Sequence, residues 1–378
     1  MIITIVCDVL GQENNGTAIA AMNLIRFLES KNHEVKILCS YQENAKDNFF
    51  MVKSRNFFIF NNYVKKNGVT LAKPQKEIIK EAIDGSDIVH IMMPFALGRT
   101  AAEYAKERNI PITAGFHVMA ENFSSHIFMK NSKLVNNLTY HHFERLYKLC
   151  DAIHYPTQYL RDLFEKLFGK TNGYVISNGV NEIFKPNPQK YNLNEKIRIL
   201  YSGRYSKEKS HKVLLKAVSE SKYKDKIELI LAGNGPLKEE LEHLAKSYQI
   251  NVIFKFFSRQ EIVDVINSSY LYVHAAEIEA EGISCLEAIT CGVVPIISNS
   301  SRSATKSYAL DENNLFECNN SQSLAQKIDF WIENPDIREI YSKKYIDYSN
   351  EKFNQISCME KMELMLLETI NNHKIKLL

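Results

Sequence analysis

Disulfide scaffolds, zinc modules, membrane spans and repeat arrays each need a composition that these 378 residues lack. The seven cysteines (Cys7, Cys39, Cys150, Cys285, Cys291, Cys318 and Cys358) are scattered and never fall at CxxC spacing, the pattern of free thiols in a cytosolic protein. No apolar run approaches the ~18–20 residues that a bilayer-spanning helix requires. Glycine and proline are few, 14 and 9, which excludes collagen-like and low-complexity chains. Met1 runs straight into the strand-like IITIV, with no basic leader and no small-residue cleavage site, and predicts no secretory signal. A net charge of +3 is too small to argue for nucleic acid, and none is expected as a partner. The positive excess sits early: residues 1–185 hold 22 Lys+Arg against 18 Asp+Glu, and residues 186–378 hold 25 against 26.

What is present is a globular composition, 45% apolar and 24% charged, at a length that divides naturally into two domains. Short β-branched runs alternate with helical patterns. The strand candidates of the first half are Ile2–Val6, Val35–Cys39, Ile88–Ile91, Ile112–Ala114, Ala152–Tyr155 and Tyr174–Ile176, with helical stretches such as Thr17–Ser30, Lys76–Asp84, Thr100–Arg108 and Gln158–Leu167 between them. After Asn178 the series restarts with Ile197–Tyr201, Ile227–Leu231, Val252–Phe254, Leu271–His274 and Val294–Ile297. Strands alternating with helices of 10–15 residues imply βαβ units and parallel sheets. Two such series around the turn-rich 178–194 segment predict an α/β protein of two doubly wound, Rossmann-like domains facing a cleft, followed by C-terminal helices from Pro335 onward.

In such sheets ligands bind where strands end, so three strand-to-helix loops carry the chemistry. GQENNGT (Gly11–Thr17) offers backbone N–H groups and a helix start to a phosphate, although it is neither GxGxxG nor a Walker loop, and on its own a plain turn is the preferred reading. SGRYSKEKS (Ser202–Ser210) brackets a tight loop with Arg204 and Lys209, two cations suited to clamping a diphosphate. The third loop, HAAEIEAEGISCLEA (His274–Ala288), turns at Gly282 and enters a helix near Ser284. Three carboxylates in five positions repel one another there, and something must offset that repulsion.

Glu279-x7-Glu287, followed by Cys291-Gly292 and Val294-Pro295, resembles the E-x7-E signature of the family-4 retaining glycosyltransferases of the GT-B fold. SNGVNEIFKP (Ser177–Pro186), SGRYSKEKS and AGNGPLKEEL (Ala232–Leu241) are similar to that family's interdomain, diphosphate and base-side segments, in its order and spacing across roughly residues 170–300. In the first half only the Gly16 loop and GFHVMAEN (Gly115–Asn122) match. The resemblance implies an acceptor-side domain over 1–180, a linker over 181–195, a nucleotide-sugar domain over 196–335 and terminal helices over 336–378 that cross back to the first domain. It implies that Gly16 approaches the donor diphosphate, Arg204 and Lys209 neutralise it, and Glu279 binds hydroxyls of the transferred sugar. Gly282, Ile283 and Ser284 would donate N–H groups, Glu287 would hold the ribose, and His117 would lie near the reacting sugar as base or hydroxyl binder. Gly233, Asn234, Phe257 and Ser258 would lie near the base. Asn181, Asn234 and Ser210 depart from the family's Asp, Asp and Gly, and KFFSRQE lacks its glycine.

The chemistry so implied is retaining transfer of a hexose, most simply from UDP-glucose or UDP-galactose, to a lipid or glycan hydroxyl. No cofactor or metal is expected, and the site of work is the cytoplasm at the inner face of the membrane. The 126–148 segment mixes Leu134, Leu138, Phe143 and Leu146 with Lys130, Arg145 and Lys148. It reads either as a helix with one buried face or, together with Phe57–Lys66, as a membrane-surface patch. His126, His141 and His142 lack ligand spacing and read as surface residues. A nucleotide-binding subunit without activity, an epimerase and a dinucleotide-dependent dehydrogenase are the alternatives on a similar fold. The last predicts GxGxxG followed by an acidic residue ~20 positions on, which neither half contains.

Overall fold

β-branched side chains are stiff at χ1 and pack well on a pleated surface, and the β-branched runs of this chain become two parallel sheets. A computed structural model describes residues 1–8, 10, 16–40, 47–55, 71–121, 132–187 and 196–377. Gly11–Asn15, Phe57–Lys66, Asn122, His126 and Lys130 lie outside the described residues. The chain divides into two compact units, Met1–Asn178 with Ile356–Leu378, and Gly179–Gln355.

The first unit holds β1 (Ile2–Cys7), β2 (Glu34–Ser40), β3 (Phe49–Val52), β4 (Ile88–Ile91), β5 (Ile112–Gly115), β6 (Ala152–Tyr155) and β7 (Gly173–Val175) in the order β3-β2-β1-β4-β5-β6-β7. Ile5 pairs with Ile37 on one side and His90 on the other, so β1 is a central strand, and side chains on both of its faces are buried from Ile3 to Cys7. The order reverses between β1 and β4, the crevice where open sheets bind ligands. The last helix, Gln355–Leu377, belongs to this unit's core. Met359, Met362, Met365 and Leu366 pack with Ile3, Leu24 and Ile37. Tyr174 donates to Glu368 at 2.8 Å, and His33 Nε2 lies 2.6 Å from Glu363, which fixes the helix's register.

The second unit holds β8 (Ile197–Ser202), β9 (Ile227–Ala232), β10 (Val252–Lys255), β11 (Leu271–His274), β12 (Val294–Ser298) and β13 (Leu315–Phe316), ordered β10-β9-β8-β11-β12-β13. Its order reverses between β8 and β11. The segment after Asn178 joins this unit as a bridge: Val180 N–H donates to Phe353 C=O at 2.7 Å, and Asn181 Nδ2 donates to Gln355 at 3.0 Å. The two terminal helices therefore part company, with Pro335–Lys352 in the second unit and nearly all of Gln355–Leu377 in the first.

In the helix Lys133–Tyr147, Tyr140, Phe143, Leu146 and Tyr147 are buried, and Tyr140 and Tyr147 contact Phe116. Leu134 and Leu138 instead stand 70% and 62% exposed, with His141 and His142 also on the outside. Among the described residues no helix is long and apolar enough to cross a membrane.

Candidate active site

The carboxyl ends of β8 and β11 bring Lys209, Glu279, His274 and the turn at Gly282 together. β8 leads into the Gly203–Ser210 loop, which Tyr201 holds by donating to the Lys209 C=O at 2.8 Å. Ser210 closes the loop at φ +52°, a left-handed conformation in which a Cβ is strained, and this is why glycine suits the position elsewhere in the family resembled. Lys209 Nζ donates to Glu279 Oε2, and His274 Nε2 lies 3.3 Å from the same oxygen. Burial pushes the Glu279 carboxyl up, but the ammonium and the imidazole outweigh it and hold it at about 2. Burial lowers Lys209, and the Glu279 carboxylate more than restores it. Arg204, half-buried in the same loop, acts on Lys209 as a neighbouring positive charge. Burial, opposed by Glu279, holds His274 below the ordinary imidazole range.

Gly282 precedes the helix Ile283–Thr290 at φ +75°, and a Cβ there would stand 2.4 Å from Thr305 Cγ2. Only glycine meets both conditions. The first N–H groups of that helix have no intrahelical acceptor and carry its positive end. Tyr272 donates to Ser284 Oγ and Ser284 donates to the Ser202 C=O, each at 3.0 Å, so the helix start is tied to β8. Two of the acidic loop's three carboxylates meet a cation: Glu279 meets Lys209, and Glu277 meets Arg302. Glu279 is also bracketed through its backbone, donating to Arg302 C=O at 3.2 Å and accepting from Ala304 N–H at 2.9 Å.

Gly233 and Asn234 follow β9. Asn234 C=O accepts from Tyr205 N–H at 3.0 Å, and its Oδ1 accepts from Gly235 N–H at 2.8 Å. Asn181 Oδ1 likewise accepts from Ile183 N–H at 3.1 Å, so both asparagines make the turn contacts an aspartate would make. Phe257 packs under Lys255, 4.8 Å from its centroid. Ser258 caps the helix Arg259–Asn267 in a reciprocal box with Glu261. Glu287, buried in the helix that Gly282 opens, pairs with Arg259 at 2.5 Å.

Gly16 and His117 lie in the first unit. Gly16 opens the helix Gly16–Ser30 at an exposed position. The His117 ring folds back over Gly115, where a Cβ would stand 2.2 Å from Nε2. It meets His154 edge-on at 5.2 Å. Burial, with His154 and His90 nearby, holds it well below the ordinary imidazole range, so it is neutral at pH 7.

The loop motifs thus named Lys209, Glu279 and Glu287 but not the side chains that surround the loop carboxylates, His274 beside Glu279, Arg302 beside Glu277 and Arg259 beside Glu287. His274 ends a strand like any buried residue, and Arg302 follows β12 in a polar stretch without a motif. Arg259 had a readable signal, since Ser258-x-x-Glu261 marks a helix start and puts Arg259 at its first position. Among the described residues no three His, Cys, Asp or Glu side chains are grouped for a metal ion.

Residues 184–348 match the family model for glycosyl transferases group 1, and residues 14–183 match that for glycosyltransferase family 4. The chain is 25% identical to alpha-monoglucosyldiacylglycerol synthase of Streptococcus pneumoniae over 56% of its own length, a match spanning about half, 52%, of that relative. It is 22% identical to the protein of the same name from Acholeplasma laidlawii over 96% of each chain. Among solved structures, HepE of Anabaena in complex with UDP-glucose superposes with a TM-score of 0.74 at 14% identity, over 97% of this chain and 100% of that one, and shares the fold.

Proposed function

The chain belongs to the family-4, group 1 glycosyltransferases of the GT-B fold, and from that premise we propose that it transfers a glucosyl or galactosyl residue from a UDP-sugar to a lipid hydroxyl, with retention and without a metal. The observation that carries this reading is the Lys209–Glu279 pair beside the helix start at Gly282. Two cations and a positive helix end gather where a leaving diphosphate needs them, and preorganised charge of this kind lowers the barrier directly. Glu279, ionised, accepts hydrogen bonds from the sugar hydroxyls. The bond from the anomeric carbon to the diphosphate oxygen breaks as the acceptor oxygen attacks the same face, and the acceptor's proton passes to the departing phosphate oxygen. His117, neutral, serves the reacting hydroxyl as hydrogen-bond acceptor rather than as cation.

Two relatives named as synthases of a glucosyldiacylglycerol support a lipid acceptor, most simply a diacylglycerol. Exposed Leu134 and Leu138, on one helix with Arg145 and Lys148 at its end, support contact with the headgroup layer of an anionic membrane, at its inner face. The test is a panel of UDP-, GDP- and ADP-sugars offered with diacylglycerol vesicles, with and without EDTA, the anomeric configuration of the product being read by NMR. Transfer from UDP-glucose or UDP-galactose to an α-product, unchanged by EDTA, is the expected result. Loss of activity in EDTA removes the metal-free mechanism, a β-product removes retention, and transfer only to soluble glycans removes the lipid acceptor.

A further inference from the structure

We propose that Arg259 is a positioning residue for the donor's ribose, holding Glu287 so that one of its oxygens faces the ribose diol, and that this pair selects ribonucleotide over deoxyribonucleotide donors. The inference rests on the reading of the chain as a nucleotide-sugar transferase and names a residue outside the three strand-to-helix loops.

Arg259 opens the helix Arg259–Asn267. Ser258 Oγ accepts from Glu261 N–H at 3.3 Å and Glu261 accepts from Ser258 N–H at 2.8 Å, a reciprocal cap that fixes the direction of the first helical residue. That residue is Arg259. Its guanidinium carbon lies 4.5 Å over the ring of the buried Phe184, and Nη1 donates to Glu287 Oε1 at 2.5 Å. The guanidinium is therefore held by an aromatic face on one side and a carboxylate on the other. Phe184 comes from the segment resembling the family's interdomain motif, and Glu287 from the E-x7-E helix, so Arg259 joins two motif residues 103 positions apart.

Glu287 is 7% exposed at its side chain, whereas Arg259 is 37% exposed. Among the described residues Glu287 Oε2 takes no hydrogen bond, so Arg259 anchors one oxygen and leaves the other to a ligand. Burial holds the Glu287 carboxyl above the ordinary glutamate range, and Arg259 offsets part of that rise, toward the ionised form. That form only accepts hydrogen bonds and a vicinal diol donates two, so an anchored carboxylate and a ribose are complementary. Without the guanidinium, burial protonates or turns Glu287, and the diol loses its acceptor.

The test is calorimetric titration of the full-length protein with UDP, GDP and ADP and with their 2′,3′-dideoxy analogues. Wild type is expected to bind its preferred ribonucleotide about tenfold or more tighter than the dideoxy form, the worth of a hydrogen bond to a charged group. In Arg259→Met the ratio falls to within about threefold, while the dideoxy affinity, which reports an intact site, stays at the wild-type value. Arg259→Lys restores part of the ratio, and Arg259→Met combined with Glu287→Gln is no worse than either alone. A wild-type ratio in Arg259→Met overturns the inference and leaves the nucleotide-sugar reading standing. Equal weakening of both ligands also overturns it, because that is the mark of a merely structural arginine. Wild type binding none of the nucleotides sinks the underlying reading, and the inference with it.

Discussion

Lys209 and Glu279, seventy positions apart in the chain, neutralise each other at the adjoining ends of β8 and β11. Each is the other's counter-ion, which offsets part of the cost of burying both charges. On the proposed function, a diphosphate that claims Lys209 would release Glu279 toward sugar hydroxyls. Lys209→Met, Glu279→Gln and Arg204→Met are each expected to lower donor turnover by well over tenfold, about 1.4 kcal/mol or more in transition-state stabilisation, with circular dichroism unchanged. Turnover near wild type in the Arg204 and Lys209 variants removes the diphosphate clamp.

The same pair predicts a pH signature in stability. Glu279, held at about 2 in the folded protein, contributes stability that is present above the ordinary glutamate range and lost as pH falls from about 4.5 toward 2. In Lys209→Met the carboxyl loses its main counter-ion, and burial then favours its neutral form. The stability gap between wild type and variant is expected to be larger at pH 6 than at pH 3 by denaturant titration. Equal gaps at the two pH values sink the assignment.

Gly115 and His117 predict a different failure. A methyl group at 115 occupies the space of the His117 ring, so Gly115→Ala must turn the imidazole away. The substitution is expected to cost about 1–3 kcal/mol of stability through overpacking, and to lower turnover as far as His117→Ala does. The double variant should be no worse than either single one. Full activity in Gly115→Ala shows that the ring's position is immaterial.

His117 also bears on the activity profile. Its imidazole is held well below 6.5 by burial, so lowering the pH from 8 to 6 does not protonate it. The profile of kcat/KM is expected to show no limb near 6.5 that His117→Asn abolishes. Such a limb means that the histidine titrates normally and is solvated.

The first unit's core depends on the last helix. Met365 is fully buried there, and Met365→Ala is expected to cost about 2–5 kcal/mol in denaturant titration. Nucleotide affinity in the second unit should stay at the wild-type value, and a drop of similar size in both quantities contradicts that separation.

The strands were legible where burial on both faces makes them near-continuous apolar runs. Ile88–Ile91, Ala152–Tyr155 and Leu271–His274 appear with the bounds their sequences imply. β3 and β13 were not legible. Phe49–Val52 has one β-branched residue among four, and Leu315–Phe316 is two residues long. Their neighbours in the sheet, not their propensities, make them strands. The helix Lys133–Tyr147 was legible as amphipathic, but its four buried aromatic and aliphatic side chains and its two exposed leucines sort themselves only against Phe116.

By itself the sequence determined the alternation of strand and helix, hence two parallel sheets, and the loops in which charge and glycine gather at strand ends. Local rules suffice for that, because periodicity and turn chemistry act over a few residues. Tertiary structure alone decided which charges meet. Lys209 finds Glu279 because β8 and β11 become neighbours where the sheet order reverses, Arg302 finds Glu277 across the neighbouring ends of β11 and β12, and Arg259, from the helix after β10, finds Glu287 in the helix after β11. A carboxylate's charge state and free oxygen are set by such a neighbour, and no pattern along the chain encodes a contact between positions so far apart.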